Sequence, residues 1–345
     1  MTLQSNLVNS AFKVKIMKKH IPVLLDQVMK HLEIRSGHNV IDCNLGYGGH
    51  AKAILERNAP DGRLIGIDLD SSAINYVFSD FSARESFKKR YHLVNGNFKN
   101  LQAIHAGLTD FPVHRVLFDL GVSSPQIESS ERGFGIKSHG ILDMNFADQE
   151  DESRLTAWKI VNTWSEKELA RIFKEYGEER AAKQVAQAIV NKRKDKTIDT
   201  PSMLVEAVSD VLKQSRKRRN KNAPFNFRFL AREKHPATQV FKALRIAVND
   251  ELQNLRVALP QALDLLQPGG RLAVITFHSL EDRIVKIFFK TESTDCLCPR
   301  ELPVCRCNHK AKMKTITKKP IIPDEKEISH NPRAKSAKLR VAEKL

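Results

Sequence analysis

The sequence has no long apolar run and few aromatic residues other than phenylalanine. Its 345 residues include 2 tryptophans and 4 tyrosines against 17 phenylalanines. No stretch reaches the roughly 18 apolar residues that a membrane helix needs, so we expect no membrane partner. Residues 1–19 lack the apolar core of a signal peptide, and we expect them to form a flexible N-terminal tail. These absences predict a cytoplasmic protein.

Acidic residues are scarce relative to basic ones. Lysine and arginine total 57 and the acids 40, which gives a formal net charge of +17. The usual polyanionic partner of so basic a protein is nucleic acid, and an anionic membrane surface is the second possibility. Cysteine is also rare: the 5 present are an odd number, which indicates free thiols or a metal site in a reducing compartment.

The segment NVIDCNLGYGGH, residues 39–50, predicts a strand, a glycine loop and the start of a helix. The apolar pair Val40 and Ile41 precedes three glycines that lie between residues 46 and 49. Such a loop presents backbone N–H groups and a helix N-terminus to a ligand. Because G-x-G-G also occurs in ordinary turns, this stretch alone leaves a ligand loop and a plain turn equally open.

A second apolar strand, Arg63–Ile67, runs into Asp68, which lies 20 residues after Gly48. In nucleotide-binding βαβ units, an acid at the end of the second strand accepts hydrogen bonds from ribose hydroxyls. The structural alternative is that Asp68 and Asp70 cap the next helix, and both roles can hold together. Since no G-x-G-x-x-G is present, an adenosine-bearing cofactor other than a dinucleotide is favoured.

Strands alternate with helices in the first part of the chain, which predicts an α/β fold with a mostly parallel, doubly wound sheet. Further strands are predicted at Tyr91–Val94, Arg115–Leu120, Arg271–Phe277, Met313–Lys318 and Lys338–Glu343. The last of them is expected to be antiparallel to its neighbours. Four polar residues mark predicted strand ends, where such sheets bind ligands: Asp42, Asp68, Asn97 and Asp119.

Residues 129–234 show no strand pattern, and we predict a helical domain inserted into the sheet domain, which comprises residues 20–128 and 235–345. Ser165 and Glu168 form a capping box at the start of one helix. Two more helices are predicted at Glu178–Arg193 and Ser202–Gln214. After Thr238 a single long helix is predicted from one apolar stripe that extends to Leu259.

The inserted region ends in a basic segment, residues 213–234, in which nine residues are Lys or Arg and one is acidic. Phenylalanines alternate with other residues between positions 225 and 229. Basic side chains neutralise phosphates and aromatic rings stack on unpaired bases, so we expect RNA contacts here. The alternative is a solvated loop whose phenylalanines dock on their own domain. The candidate RNA-binding residues are Arg216, Lys217, Arg218, Arg219 and Arg228.

Eight motifs occur together in one order: DCNLGYGGH, GIDLD, FDLGVSSPQ, RGFG with LDM, YGEE, HPATQVFKALRIAVNDEL, PGGRL and FHSLEDR. In this the chain resembles the MraW/RsmH family, S-adenosylmethionine-dependent methyltransferases that act on N4 of a cytidine in 16S ribosomal RNA. The resemblance runs from His20 to the C-terminus. It implies a class I, Rossmann-like methyltransferase fold with a helical insert, and 16S rRNA or the small ribosomal subunit as partner. Monomer and dimer both stay open.

The resemblance also implies site residues. Cofactor contacts carry over to Gly48, Gly49, His50, Asp68, Phe98, Asp119 and Gln126. Asp119 stands where amino-methyltransferases hold the target amine, and it is the catalytic candidate. His278 is a second catalytic candidate, as acceptor of the proton, and could equally be structural. Phe98 is expected to pack against adenine or in the core. The chain departs from the family pattern at Asn44, at Gly135 with Ile136, and at Asn145 with Phe146.

Four cysteines form a C-x-C…C-x-C group: Cys296, Cys298, Cys305 and Cys307. Four thiolates so placed could bind zinc, and His309 is nearby in the sequence. C-x-C is a less usual pair than C-x-x-C, however, and the expected chemistry needs no metal. We therefore assign no metal from the sequence.

Two other functional classes remain open from the sequence. One is a methyltransferase of the same fold that acts on DNA or protein. The other is a non-catalytic RNA-binding factor for ribosome assembly that has kept the fold. Intact Gly48, Gly49, Asp68 and Asp119 favour an active enzyme, and the basic segment favours RNA.

Overall fold

The computed structural model describes residues 21–122, 132–136, 138–147, 154–221, 235–299 and 304–345, with side chains in the fourth range up to residue 215. The predicted N-terminal tail, residues 1–19, lies outside these ranges. So does most of the basic segment, residues 222–234.

The described strands form one seven-stranded sheet in the order β3-β2-β1-β4-β5-β7-β6. Their bounds are Val40–Asp42 (β1), Leu64–Asp68 (β2), Tyr91–Asn95 (β3), Val113–Asp119 (β4), Leu266–Thr276 (β5), Met313–Thr315 (β6) and Lys338–Lys344 (β7). Strands β1 to β5 pair in parallel, whereas β7 runs antiparallel to both β5 and β6. The predicted fold class is confirmed.

Helices cover both faces of this sheet and form a group beside it. They are Leu25–Leu32 (α1), Gly49–Arg57 (α2), Ser71–Ser82 (α3), Leu101–Leu108 (α4), Ala157–Thr163 (α5), Glu166–Glu175 (α6), Ala182–Asp195 (α7), Pro201–Lys221 (α8), Thr238–Asn249 (α9), Glu251–Leu265 (α10), Ser279–Glu292 (α11) and Glu325–His330 (α12). None of the described residues between 132 and 221 forms a strand, as the sequence predicts.

Successive residues of the central strands pack on opposite faces of the sheet. Val40 lies in the apolar cluster with α1, α2 and α3, and Ile41 in the cluster with α4, α10 and α11. Leu117 and Phe118 divide between the two clusters in the same way. Both faces are therefore buried, which explains why these parallel strands are continuous apolar runs in the sequence.

Helices α5 to α9 share a third apolar core. Phe173 of α6, Val185 of α7 and Leu204 of α8 are fully buried in it together with Leu244 of α9. The packing of α9 among these helices favours a boundary of the helical part near residue 250. The division at residue 234 that the sequence suggests stays a prediction.

The single helix predicted after Thr238 is wrong, because the chain breaks at Asp250, whose φ is +47° and ψ 38°. The break escapes sequence analysis because the apolar stripe continues across it, with Val248 and Leu252 both buried. Helix α7 begins at Ala182 rather than at Glu178, and α8 extends seven residues past the predicted end at Gln214.

The predicted start of β5 at Arg271 is also revised, since the strand begins at Leu266 and contains the Pro-Gly-Gly sequence. Val113 pairs with Leu266 and Arg115 with Arg271, so β5 has three more residues than β4 over this stretch. Gly269 adopts φ +74° there, which a residue with a Cβ rarely does. Regular pairing resumes at Arg271, the residue at which the apolar pattern starts.

Asp282 of α11 lies against two cations of β7. The Nε and Nη2 atoms of Arg340 lie 2.7 and 3.3 Å from its two oxygens, and Nζ of Lys338 lies 3.2 Å away. Burial raises the pKa of Asp282, but Arg340 and Lys338 outweigh it and hold the pKa below its usual range. This cluster joins the antiparallel strand to the helix that covers it.

Asp282→Asn should lower the free energy of unfolding by about 3–5 kcal/mol at pH 7, because it leaves the buried guanidinium of Arg340 without its counter-charge. The folded pKa lies below the unfolded one, so the stabilisation is complete above roughly pH 4 and is lost as pH falls through the folded pKa. Urea unfolding of the wild type and of Asp282→Asn, at pH 7 and at a series of lower pH values, measures the difference in the free energy of unfolding.

The matched control is Asp80→Asn, which removes an ion pair with Arg84 on the surface of α3. Since 35% of the Arg84 side chain and 41% of the Asp80 side chain are exposed to water, the control should change stability by less than about 1 kcal/mol. Equal, small losses in the two variants would contradict a stabilising role for the Asp282 cluster.

Candidate active site

The carboxyl ends of the parallel strands meet at one edge of the sheet and border a cavity. Asp68 ends β2, Asp119 ends β4, and Asn97 and Phe98 follow β3, and all four line this cavity. The sequence predicts this common edge. Asp42, which ends β1, is buried with 1% of its surface exposed and does not line the cavity.

The glycine loop between β1 and α2 forms one wall. The N–H of Gly46 donates to Oδ2 of Asp68 over 2.7 Å, which ties the loop to the end of β2. A Cβ on Gly49 would lie 2.3 Å from Cγ of Pro22, and Gly48 has φ +76°. Gly46 and Gly49 line the cavity, whereas Gly48 gives the loop its turn without lining it. A cofactor contact of Gly48 stays a prediction.

Asp68 is fixed by the backbone on both oxygens. Oδ1 accepts from the N–H of Asp70 over 2.9 Å, and Oδ2 from Gly46. Burial raises the pKa of Asp68 to about 6 in spite of these bonds. Each carboxylate oxygen has a second lone pair, so Asp68 can accept further hydrogen bonds from a ligand. Asp70 caps α3 through the N–H of Ser72, which is one of the two predicted roles, and a ribose contact of Asp68 stays a prediction.

His50 joins Asp119 to the segment that precedes α1. Its Nδ1 lies 3.5 Å from Oδ2 of Asp119, and its Nε2 lies 3.1 Å from the carbonyl oxygen of Val23. Burial lowers the pKa of His50, but the hydrogen bond and charge of Asp119 outweigh it, and the pKa is raised. Because both ring partners are acceptors, the protonated ring satisfies both, and His50 orients the carboxylate of Asp119.

The other oxygen of Asp119, Oδ1, is buried and has no hydrogen-bond partner among the described residues. A buried carboxylate oxygen without a donor is costly, and a ligand N–H or O–H in the cavity would satisfy it.

Beneath the loop, burial raises the pKa of Asp42 to about 7. Asp42 therefore adds less than a full negative charge near neutral pH.

A second wall of the cavity lies outside the glycine loop and the ends of β1 to β4, and it contains residues that the sequence does not mark as site residues. The residues of this wall are Phe146, Asn249, Glu251, Asn254, Glu281, Asn331 and Arg333. Asn249 holds the wall together: its Oδ1 accepts from the N–H of Phe146 over 2.7 Å, and its Nδ2 donates to the carbonyl of Met144 over 2.8 Å. The one available signal was the Asn-Asp-Glu sequence inside an otherwise apolar stripe.

Phe146, at the position where the sequence departs from the family pattern, lies on this wall and stacks on Phe134 with ring centroids 5.7 Å apart. Arg132 forms an ion pair of 3.2 Å with Asp70 and thereby links this segment to the end of β2. Asn145 donates to the carbonyl of Leu155 over 3.1 Å, so its side chain is used within the segment.

Phe98 lies between the core and the cavity. Its ring packs edge-to-face on Phe118, 5.5 Å between centroids, and the side chain also lines the cavity. One part of the ring is therefore core and another faces the space where a ligand can bind. An adenine contact stays a prediction.

His278 is the N-cap of α11. Its Nδ1 accepts from the N–H of Glu281 over 3.4 Å, and Nε2 lies 3.1 Å from Oε1 of Glu281 without hydrogen-bond geometry. Glu281 lines the cavity but His278 does not. His278 therefore does not border the cavity, and its role as a proton acceptor stays a prediction.

Several predicted site residues cannot be placed. Gln126 and Arg228 lie outside the described residues. Arg216, Lys217, Arg218 and Arg219 lie in α8, where the structure describes the backbone alone.

No described helix is both long enough and apolar enough to cross a bilayer.

The sequence model of the MraW methylase family matches residues 17–345 of this chain. A Carboxydothermus hydrogenoformans protein named ribosomal RNA small subunit methyltransferase H is 44% identical over 326 residues, 94% of this chain and 98% of that protein. Its namesake from Caldicellulosiruptor saccharolyticus is 42% identical over 331 residues, 95% of this chain and 100% of that protein. Since the match spans nearly the whole sequence, the chain belongs to the MraW methylase family.

Proposed function

We propose that this protein transfers a methyl group from S-adenosylmethionine to N4 of a cytidine in the 16S RNA of the small ribosomal subunit. Membership of a methylase family and the name that the two relatives share support the reaction class and the RNA. The observation that carries the proposal is the cavity itself, in which Asp68 and Asp119 lie at two strand ends and Oδ1 of Asp119 has no donor among the residues that the structure describes.

The glycine loop and the ends of β2 and β3 fit the cofactor. The carboxylate of Asp68, held by two backbone N–H groups, has lone pairs left for the two ribose hydroxyls. Phe98 offers an apolar surface to the adenine, and Gly46 and Gly49 allow close approach near the methionine part. When bound, S-adenosylmethionine supplies an electrophilic methyl group on a sulfonium.

Asp119 fits the target amine. The lone pair of a cytosine amine is conjugated with the ring, so the amine is a poor nucleophile and must be placed in line with the methyl group. An amine N–H that donates to Oδ1 of Asp119 is oriented and satisfies the buried oxygen. The carboxylate also stabilises the positive charge that develops on nitrogen. His50 holds Oδ2 and so fixes the direction of Oδ1.

The second wall of the cavity fits the rest of the nucleotide. Phe146 gives a flat apolar surface on this wall, and Asn249 fixes its backbone. A cytidine must leave its stack to reach such a cavity, which a single-stranded or loop target permits.

A direct experiment incubates the full chain with unmethylated small subunits and methyl-labelled S-adenosylmethionine, then maps the label by mass spectrometry of RNA digests. Label on N4 of a cytidine in 16S RNA is expected. Label on DNA or on ribosomal protein would favour a different substrate. Absence of both cofactor binding and methylation would favour the non-catalytic assembly factor.

Asp68→Ala should weaken S-adenosylmethionine binding by about 1–3 kcal/mol, because the ribose hydroxyls lose a charged acceptor. Since the pKa of Asp68 is about 6, wild-type affinity should also fall as the pH drops through this value and the carboxylate is protonated. The variant should show a smaller pH effect. Calorimetry at pH 5 and pH 7.5 measures both.

The control for this variant is Asp110→Ala, which removes an exposed acid next to the amino end of β4, at the opposite edge of the sheet. Its affinity should equal that of the wild type. Unchanged affinity in folded Asp68→Ala would remove Asp68 from the proposed cofactor site.

Asp119→Asn should lower kcat by roughly 10²–10³-fold, as when one preorganised electrostatic partner is removed. The amide keeps the size and one acceptor but not the charge, so cofactor affinity should fall much less. Asp119→Ala should lose both. Single-turnover methylation at saturating cofactor and RNA measures the step.

Asp110→Asn is the matched control and should methylate at the wild-type rate. A wild-type rate in Asp119→Asn would show that its charge has no part in the transfer. A change in cofactor affinity alone would make Asp119 a binding residue.

The basic segment is proposed to bind RNA phosphates. Replacing Arg216, Lys217, Arg218 and Arg219 with Gln should weaken RNA binding and flatten its salt dependence, because fewer counterions are released on binding. The slope of log K against log salt should fall by about 0.7 for each lost phosphate contact with single-stranded RNA. Filter binding at several salt concentrations measures the slope.

A double variant, Arg57→Gln with Lys88→Gln, removes two exposed cations that precede β2 and β3, away from the carboxyl edge. It should leave the slope unchanged. If the fourfold variant also keeps the wild-type slope, the segment is a solvated surface and not an RNA contact.

A further inference from the structure

The loop between α11 and β6 brings four cysteine sulfurs together on the surface. The Sγ atoms of Cys296, Cys298, Cys305 and Cys307 all lie within 4.8 Å of one another. Cys296 and Cys305 are 3.4 Å apart, Cys305 and Cys307 3.6 Å, and Cys296 and Cys307 3.9 Å. These residues do not line the cavity and have no part in the proposed methyl transfer.

The spacing of the sulfurs matches one tetrahedral ion better than it matches disulfides. Zinc–sulfur bonds of 2.3 Å in a tetrahedron place the sulfurs about 3.8 Å apart. A disulfide would need sulfurs about 2.05 Å apart. The three measured separations lie near the first value, and all four cysteines are free thiols.

Backbone N–H groups support the sulfurs in a reciprocal pattern. The N–H of Leu297, between the first two cysteines, donates to Sγ of Cys307 over 3.3 Å. The N–H of Arg306, between the other two, donates to Sγ of Cys298 over the same distance. Such donors stabilise thiolates, the form in which cysteine binds metal.

His309 is held away from the sulfurs. Its Nε2 lies 3.0 Å from the carbonyl oxygen of Thr291, at the end of α11. The loop is further closed by the N–H of Lys312, which donates to the carbonyl of Glu292, and by Ala311, which donates to Asp295. The candidate ligand set is therefore four sulfurs, which leaves no open position for substrate or water in a tetrahedral site.

We propose that Cys296, Cys298, Cys305 and Cys307 bind one structural Zn²⁺ ion. Cys296, Cys305 and Cys307 are exposed, so these residues cannot be held by a buried apolar core. Binding releases the thiol protons and replaces the missing core by four metal–sulfur bonds. The ion fixes the connection between α11 and the edge strand β6.

The test uses the full chain, purified under reducing conditions without chelator. Elemental analysis should find about one zinc per chain, the content of a closed four-cysteine site. After exchange, Co²⁺ should give the intense sulfur-to-cobalt absorption of tetrahedral thiolate ligation. Cys305→Ser with Cys307→Ser should lose both signals, whereas Cys43→Ser, which changes the cysteine outside the group, should keep both.

A folded wild-type chain that contains no zinc and takes up neither Zn²⁺ nor Co²⁺ overturns the proposal, as do two disulfides found by mass spectrometry after preparation under the same conditions. Zinc retained by the double variant also overturns it. The metal would then belong elsewhere, for example to Glu251, His278 and Glu281, whose ligand atoms also lie within 4.8 Å of one another. If the double variant does not fold, the wild-type metal content and cobalt spectrum decide.

Discussion

The cavity at the carboxyl edge of the sheet depends on holding three carboxyl groups close together. Asp42, Asp68 and Asp119 end three adjacent parallel strands, and burial raises the pKa of Asp42 to about 7 and that of Asp68 to about 6. The glycine loop and the helix after it supply the compensation: the N–H of Gly46 binds Asp68, and His50 pairs with Asp119. One segment therefore both shapes the cavity and stabilises the charge that the strand ends bring to it.

The second wall depends on a turn rather than on the sheet. At Asp250 the chain leaves α9, which packs in the helical core, and enters α10, which packs on the sheet. Asn249 precedes this turn and binds the backbone on both sides of Asn145, so the segment that carries Phe146 is attached to the same point. A displacement of α9 relative to the sheet would therefore move Asn249 and Phe146 together and change the width of the cavity.

Sequence analysis found the parts of the site that depend on local order and missed those that depend on packing. Apolar runs that end in an acid or a glycine predict strand ends, which is how Asp68 and Asp119 were found. The Asp250 break was missed because apolar periodicity continues through it, and Arg333 was missed because it reaches the cavity from a segment more than 200 residues after Asp119 in the sequence. The spacing of the cysteines permitted a metal site, but the approach of their sulfurs is a tertiary property.

The charge of the chain and the charge of its cavity have opposite signs, and this opposition fits an RNA substrate. The formal net charge is +17, so the surface attracts a polyanion from a distance. Asp68, Asp119, Glu251 and Glu281 nevertheless line the cavity, and among the described lining residues only His50 and Arg333 oppose these four acids. Phosphates are repelled by such a group of carboxylates, whereas an exocyclic amine donates hydrogen bonds to them. We therefore expect the backbone of a bound RNA to stay on the basic surface while an unstacked base alone enters the cavity, with its amine foremost.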